Sequence, residues 1–116
     1  RAPIKAALER ALALQPAYLD GSPDRALGRW YFKVPGLFGG DLSKSEAHLR
    51  KALSYNARSI ISLLFLAETL NALDKKAEAR ATLQAALAAP VDADWAPEDA
   101  RFKAQAQTLL ATWARR

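Results

Sequence analysis

Apolar residues recur along this chain every three or four positions, and no stretch keeps the two-residue alternation of a strand. That spacing predicts six helices. The first runs from about Pro3 to Leu14 and places Ile4, Leu8 and Ala11 on one face. A proline in the first turn gives up an N–H that the turn does not use, and Pro16 stops the pattern. The second begins at Ser22-Pro23, a capping serine ahead of an N1 proline, and presents Leu27, Gly28 and Tyr31 with Trp30 and Val34 alongside. The third opens after Gly40, with Asp41 or Ser43 as cap, and carries Leu49, Ala52 and Leu53. Ser43 and Glu46 have capping-box spacing. The fourth, about Ser59 to Leu73, is the most apolar and is expected to be the most buried. The fifth follows Asp74, a candidate cap, carries Ala79, Leu83, Ala86 and Leu87, and ends at Pro90. A polar loop, Val91 to Ala96, leads into the sixth near Pro97. Its Glu98 and Asp99 at the start and Arg115-Arg116 at the end carry the charges that a helix dipole favours.

The helices pair in a repeating register. With Ile60 as the first position of a unit, Leu63, Leu66, Ala67 and Leu70 fall on one helical face, and Ala79, Leu83 and Ala86 on another. Small residues Ala67 and Ala79 lie where the two helices would cross. Stepping back 34 residues from Ala79, Leu83 and Ala86 gives Ser45, Leu49 and Ala52, again small, large, small. Ile4, Leu8 and Ala11 form a third copy, and Leu27-Gly28 with Tyr31 matches Leu66-Ala67 with Leu70. Gly28 and Ser45 are 17 apart, whereas Ala67 and Ala79 are 12 apart, so the first turn holds a five-residue insertion.

Over roughly residues 3 to 93 this pattern resembles the tetratricopeptide repeat, most clearly in LLFLAETLNALDKKAEARATLQAAL. Two departures mark the first hairpin: Ala57 stands where a unit-ending proline is usual, and Asp24 stands where a large residue is usual. The resemblance implies an all-α, right-handed superhelix of antiparallel helix hairpins. One domain, 1–116, would comprise a half-repeat helix at 3–16, a hairpin with an extended turn at 22–56, a second hairpin at 59–90 and a capping helix at 97–115. A narrower likeness, carried by LGRWYFKVPGLFGGDLSKSEAHLRKAL and DADWAPEDARFKAQAQTLLA, is to bacterial repeat proteins related to the T component of TRAP transporters. A comparable LGRW helix occurs in eukaryotic regulators of microtubule dynamics.

Composition narrows the chemistry. There is no cysteine, which excludes disulfides and thiolate metal sites. The longest apolar run, Leu63 to Ala67, is far too short to span a bilayer. The pattern at Arg1 reads as already under way, so a targeting sequence or an earlier domain is expected upstream. Net charge is +5, and all of the excess lies in residues 1–58. That balance favours an acidic partner or an anionic surface. The basic residues are scattered singly, without the interleaved aromatics of a nucleic-acid module.

No catalytic constellation emerges. The stretch Pro35-Gly36-Leu37-Phe38-Gly39-Gly40 lacks the spacing of a phosphate-binding or dinucleotide loop, and a helix precedes it instead of a strand. It reads as an elbow, with Gly36 and Gly40 supplying positive φ. Leu37 and Phe38 would either tuck into the core or stand out as a partner-binding knob. His48, the sole histidine, is expected to be solvated. The serines lack a base, and Asp92, Asp94, Glu98 and Asp99 suit capping better than acid–base work. Trp30, Trp95 and Trp113 are expected in the core, with Trp95 stapled onto the start of the last helix.

The repeat resemblance implies a concave groove lined by Arg25, Arg29 and Phe32 from the first hairpin and by Leu64, Glu68 and Asn71 from the second. Arg25 and Arg29, one turn apart, would clamp a carboxylate. The expected function is a non-enzymatic scaffold binding a peptide or partner helix there, with no cofactor, metal or nucleic acid. The alternative is a ligand-binding or structural accessory of a bacterial envelope transporter, which favours a periplasmic or envelope location. Self-association through the first helix is a further expectation.

Overall fold

A computed structural model of the chain describes residues 2–115, and it is all-α. The six helices are α1 (Ala2–Leu14), α2 (Ser22–Lys33), α3 (Leu42–Tyr55), α4 (Ile60–Ala72), α5 (Lys76–Ala88) and α6 (Ala96–Ala114). Short 3-10 turns at Gly36–Phe38 and Ala93–Trp95 complete the order, with no strand among the described residues. Arg116, expected to favour the end of α6, lies outside them. The chain divides into two compact units, one within Arg1–Ala57 and one within Arg58–Arg116.

The first unit is the hairpin α2–α3 with α1 laid on α2. Its core forms where Gly28 crosses Ser45. A Cβ added at Gly28 would stand 2.6 Å from Leu49 Cγ and 3.2 Å from the Ser45 carbonyl oxygen, so only glycine lets the helices approach this closely. Ser45, fully buried, donates its hydroxyl to the Gly28 carbonyl at 2.7 Å. Leu27, Tyr31, Leu49 and Ala52 close around that contact. The small-large-small spacing read in the sequence is therefore the inner face of α3. α1 is held less firmly. Lys5, Leu8 and Leu12 are half-buried, whereas Ile4 and Leu14 are largely exposed.

The second unit is the hairpin α4–α5 with α6 packed on both helices. Leu63, Leu66, Ala67 and Leu70 of α4 and Ala79, Leu83 and Ala86 of α5 are buried, as the repeat register requires. α6 adds Ala106 and Trp113 to the core and sets Phe102 edge-on to Phe65, with ring centroids 6.2 Å apart. Lys103 donates its ammonium to the Leu87 carbonyl at 2.9 Å, which satisfies a carbonyl in the last turn of α5.

The turns correct several expectations. Pro35 ends α2 and holds Val34 extended, as a residue before proline must be. Within the elbow the positive φ belongs to Gly39, at 104°, and not to Gly36 or Gly40. Gly40 is needed for another reason: a Cβ there would collide with the Val34 carbonyl, because Gly40 and Asp41 donate their N–H groups to the Pro35 and Tyr31 carbonyls at 3.0 Å each. Gly39→Ala should therefore cost about 1–2 kcal/mol in chemical denaturation, from the left-handed backbone. Gly36→Ala, with open space around its Cβ position, should change stability by less than about 0.5 kcal/mol.

Asp41 caps α3 by accepting the Lys44 N–H at 3.0 Å, so the Ser43–Glu46 box is not the device used. Asp74 does not cap α5. It sits at φ 63 and donates its N–H to Asn71, while Lys75 donates to the Leu70 carbonyl, which closes the end of α4. Asp92 does cap, accepting from Asp94 N at 2.9 Å, and Asp99 accepts from Asp92 N at 3.0 Å. Asp92 and Asp99 thus brace the turn ahead of α6. Trp95 is 47% exposed and does not form the expected staple, because a 3-10 turn inserted ahead of α6 carries it outward.

Candidate functional site

The spacing of Arg25, Arg29 and Phe32 by four and three residues puts all three on one face of α2, away from buried Leu27 and Tyr31. All three are half-buried. The Arg29 guanidinium lies 5.0 Å from the Phe32 ring centroid and Lys33 Nζ lies 6.0 Å from it, so a cationic surface is laid over an aromatic one. Burial pushes the Arg25 pKa below the usual guanidinium value, and the nearby Asp20 carboxylate acts against that shift. Asp20 reaches this position through a left-handed run, Leu19, Asp20 and Gly21, with φ of 45°, 58° and 83°. Asn56 donates to Asp20 Oδ2 at 3.2 Å and ties that run to the end of α3. The sequence held no warning of this turn, since only its last residue is glycine.

In the second unit the expected set divides. Glu68 and Asn71 of α4 are half-buried, and Asn71 Oδ1 accepts from Lys76 Nζ at 3.4 Å. Leu64 is fully buried and offers nothing to a partner. An apolar side chain on a helix flanked by two others is drawn inward, whatever its repeat position, so Leu64 belongs to the core and not to a binding face.

Leu37 and Phe38 do not tuck into the core: they are 88% and 57% exposed. The 3-10 turn and the left-handed Gly39 that follows direct them outward, while Gly39 itself packs beside Trp30. The exposure suits a knob.

His48 is not a solvated side chain. Its Nδ1 lies 2.8 Å from Asp24 Oδ1, and its ring stacks on Tyr31 at 5.6 Å with planes 8° apart. Asp24 is 2% exposed, and its second oxygen, Oδ2, is buried with no hydrogen-bond partner. A signal for this pair was present. Asp24 precedes Gly28 by four residues and His48 follows Ser45 by three, so antiparallel helices crossing at Gly28–Ser45 bring the two together one turn away. The carboxylate that breaks the repeat pattern and the lone histidine are one feature.

Trp30 meets Tyr31 edge-on with centroids 5.2 Å apart. Lys5 of α1 lies over both rings, at 5.5 and 5.3 Å, and Lys44 of α3 lies 5.7 Å from Tyr31. Among the described residues no group of three His, Cys, Asp or Glu side chains is placed to hold a metal ion, and no helix is long and apolar enough to cross a membrane.

Helix hairpins with extra helices packed on them make this an all-α protein whose packing is consistent with a hairpin repeat. Residues 2–114 match the family described as TRAP transporter T-component, TAtT, and the chain belongs to that family. Nothing among curated proteins or solved structures matches it.

Proposed function

We propose that this chain is a non-catalytic accessory component of a TRAP transporter in the bacterial cell envelope, and that it acts by binding another subunit. Membership of the T-component family over residues 2–114 is the observation that carries the reading. The hairpin register further supports a tetratricopeptide-like mode of action, in which the first helix of each hairpin faces the partner. In the first unit that face is Arg25, Arg29 and Phe32. In the second it is Glu68 and Asn71, Leu64 being withdrawn into the core.

Arg25 is the anchor of this face. A guanidinium already partly stripped of water gains more from an incoming carboxylate than an exposed one, because less solvent is displaced on binding. Arg29, resting on Phe32, is held nearby in limited conformations. The partner surface is accordingly acidic with an apolar element.

Titration calorimetry of the purified chain against the remaining subunits of its transporter tests this. One of them should bind. The pair Arg25→Glu and Arg29→Glu should weaken that binding at least about tenfold, or ~1.4 kcal/mol. Absence of binding to every subunit overturns the accessory role. Unchanged affinity in the charge-reversed chain overturns the assignment of the face.

A further inference from the structure

We infer that the first unit carries a second interaction surface, built from Lys5, Trp30, Lys44 and the elbow residue Leu37, that takes an acidic peptide segment with an apolar side chain. It is distinct from the Arg25–Arg29–Phe32 face, since Trp30 lies off that face of α2 and the two lysines come from α1 and α3.

Two ammonium groups from different helices converge on one ring. Lys5 Nζ lies 5.3 Å and Lys44 Nζ 5.7 Å from the Tyr31 centroid, and Lys5 also lies 5.5 Å from Trp30. Among the described residues neither ammonium is paired with a carboxylate. An anion reaching that ring meets two positive charges. The ring beneath is fixed: Tyr31 is buried, edge-on to Trp30 on one side and stacked on His48 on another. A lysine lying over such a ring has already lost part of its rotamer freedom, so an incoming carboxylate has less entropy to overcome.

The apolar half adjoins it. Gly39 abuts Trp30, and two residues earlier Leu37 stands 88% exposed. Lys44 lies in the first turn of α3, immediately beyond the same elbow. The five-residue insertion of the first hairpin therefore carries an exposed apolar side chain two residues from the glycine that abuts Trp30, the ring that Lys5 covers. Glutamates flanking a leucine or phenylalanine match that layout.

A fluorescein-labelled peptide of glutamates around a single leucine is the probe, titrated into the whole chain with the Trp30 indole N–H followed by NMR. The wild-type chain should bind it and shift that signal, and the same peptide with glutamines in place of glutamates should not bind. Lys5→Glu with Lys44→Glu should weaken binding at least about tenfold, and Lys5→Met with Lys44→Met, which keeps the aliphatic stems, should weaken it at least about threefold. Arg25→Glu with Arg29→Glu should leave it within about twofold. Loss in the arginine variant alone moves the binding to the other face and overturns this inference while leaving the proposed function standing. Equal loss in both variants reduces it to net charge, and unchanged binding in the methionine pair, or none by the wild type, also overturns it. So does binding of phosphatidylglycerol vesicles through the same lysines without binding of the peptide, which would make the surface a membrane contact.

Discussion

Gly28→Val is expected to lower the stability of the first hairpin by about 1–4 kcal/mol. The added Cβ would start 2.6 Å from Leu49 Cγ and 3.2 Å from the Ser45 carbonyl oxygen, well inside contact distance. Leu49 is fully buried and has nowhere to swing, so α2 and α3 must separate. Overpacking of this kind costs about 1–3 kcal/mol. Separation also stretches the 2.7 Å bond from Ser45 Oγ to the Gly28 carbonyl, which adds about 1 kcal/mol for a buried hydroxyl left without its partner. The gain from replacing glycine in a helix, at most about 1 kcal/mol, offsets only part of this. Ala67→Gly provides the contrast. The crossing in the second hairpin accommodates a Cβ, and its loss should cost about 1 kcal/mol from helix propensity with no clash. Because the chain forms two units, hydrogen exchange of the α3 amides should be read beside urea denaturation: Gly28→Val should release α3 and leave α4 protected. Protection of α3 within about 0.5 kcal/mol of wild type would contradict the crossing.

That crossing also explains what the sequence could and could not reveal. Periodicity reports which residues point inward, and packing then follows from the size of those residues. Gly28 opposite Ser45 was legible for that reason, and so were the buried faces of α3, α4 and α5. Caps proved less certain, because Asp41 and Ser43, or Asp74 and Lys75, offer a helix alternative starts. Competition between turn geometries settled them: the left-handed Asp74 closes α4 and is thereby lost to α5. The elbow was legible as a turn but not in its details. Three glycines in six residues leave the choice of positive φ to tertiary contacts, and the close approach of Gly40 to Val34 decided it for Gly39. Among the candidate site residues, Arg25, Arg29 and Phe32 share a face because the helix repeat demands it. Leu64 was misplaced because a repeat position says where a side chain points and not what later packs over it. Asp24 and His48 were read separately, one as a departure from a pattern and the other as a surface residue. Their pairing needed the register across the hairpin, which the small-residue crossing in fact supplied.

Replacing both members of that pair is expected to leave the protein at least as stable as it began, whereas removing the histidine alone should damage it. Asp24 occupies the slot that holds a large apolar residue elsewhere in the repeat. Its side chain is 3% exposed, Oδ1 meets His48 Nδ1 at 2.8 Å and Oδ2 meets nothing. A buried carboxylate in this state depends on one partner. His48→Ala removes that partner and also the ring stacked on Tyr31. Breaking a fully buried pair costs about 3–5 kcal/mol. The His48 side chain is 26% exposed, so water can reach the gap it leaves, and about 2–4 kcal/mol is expected here. Asp24→Leu removes the desolvated charge together with its unsatisfied oxygen. The histidine it abandons can turn to solvent, so this change should fall within about 1 kcal/mol of wild type. Asp24→Leu combined with His48→Leu replaces a buried, half-satisfied polar pair with two apolar side chains, and should equal or exceed the wild type. Urea denaturation of the wild type, Asp24→Leu, His48→Leu and the double leucine variant forms a cycle whose coupling energy should reach at least about 1 kcal/mol. If His48→Ala proves harmless, Asp24 has another route to compensation. If the double leucine variant is less stable than the wild type, the carboxylate and histidine fix the register of α2 on α3 better than an apolar pair does. Either result would redirect attention from stability to what this pair holds in place: the Tyr31 ring over which Lys5 and Lys44 converge.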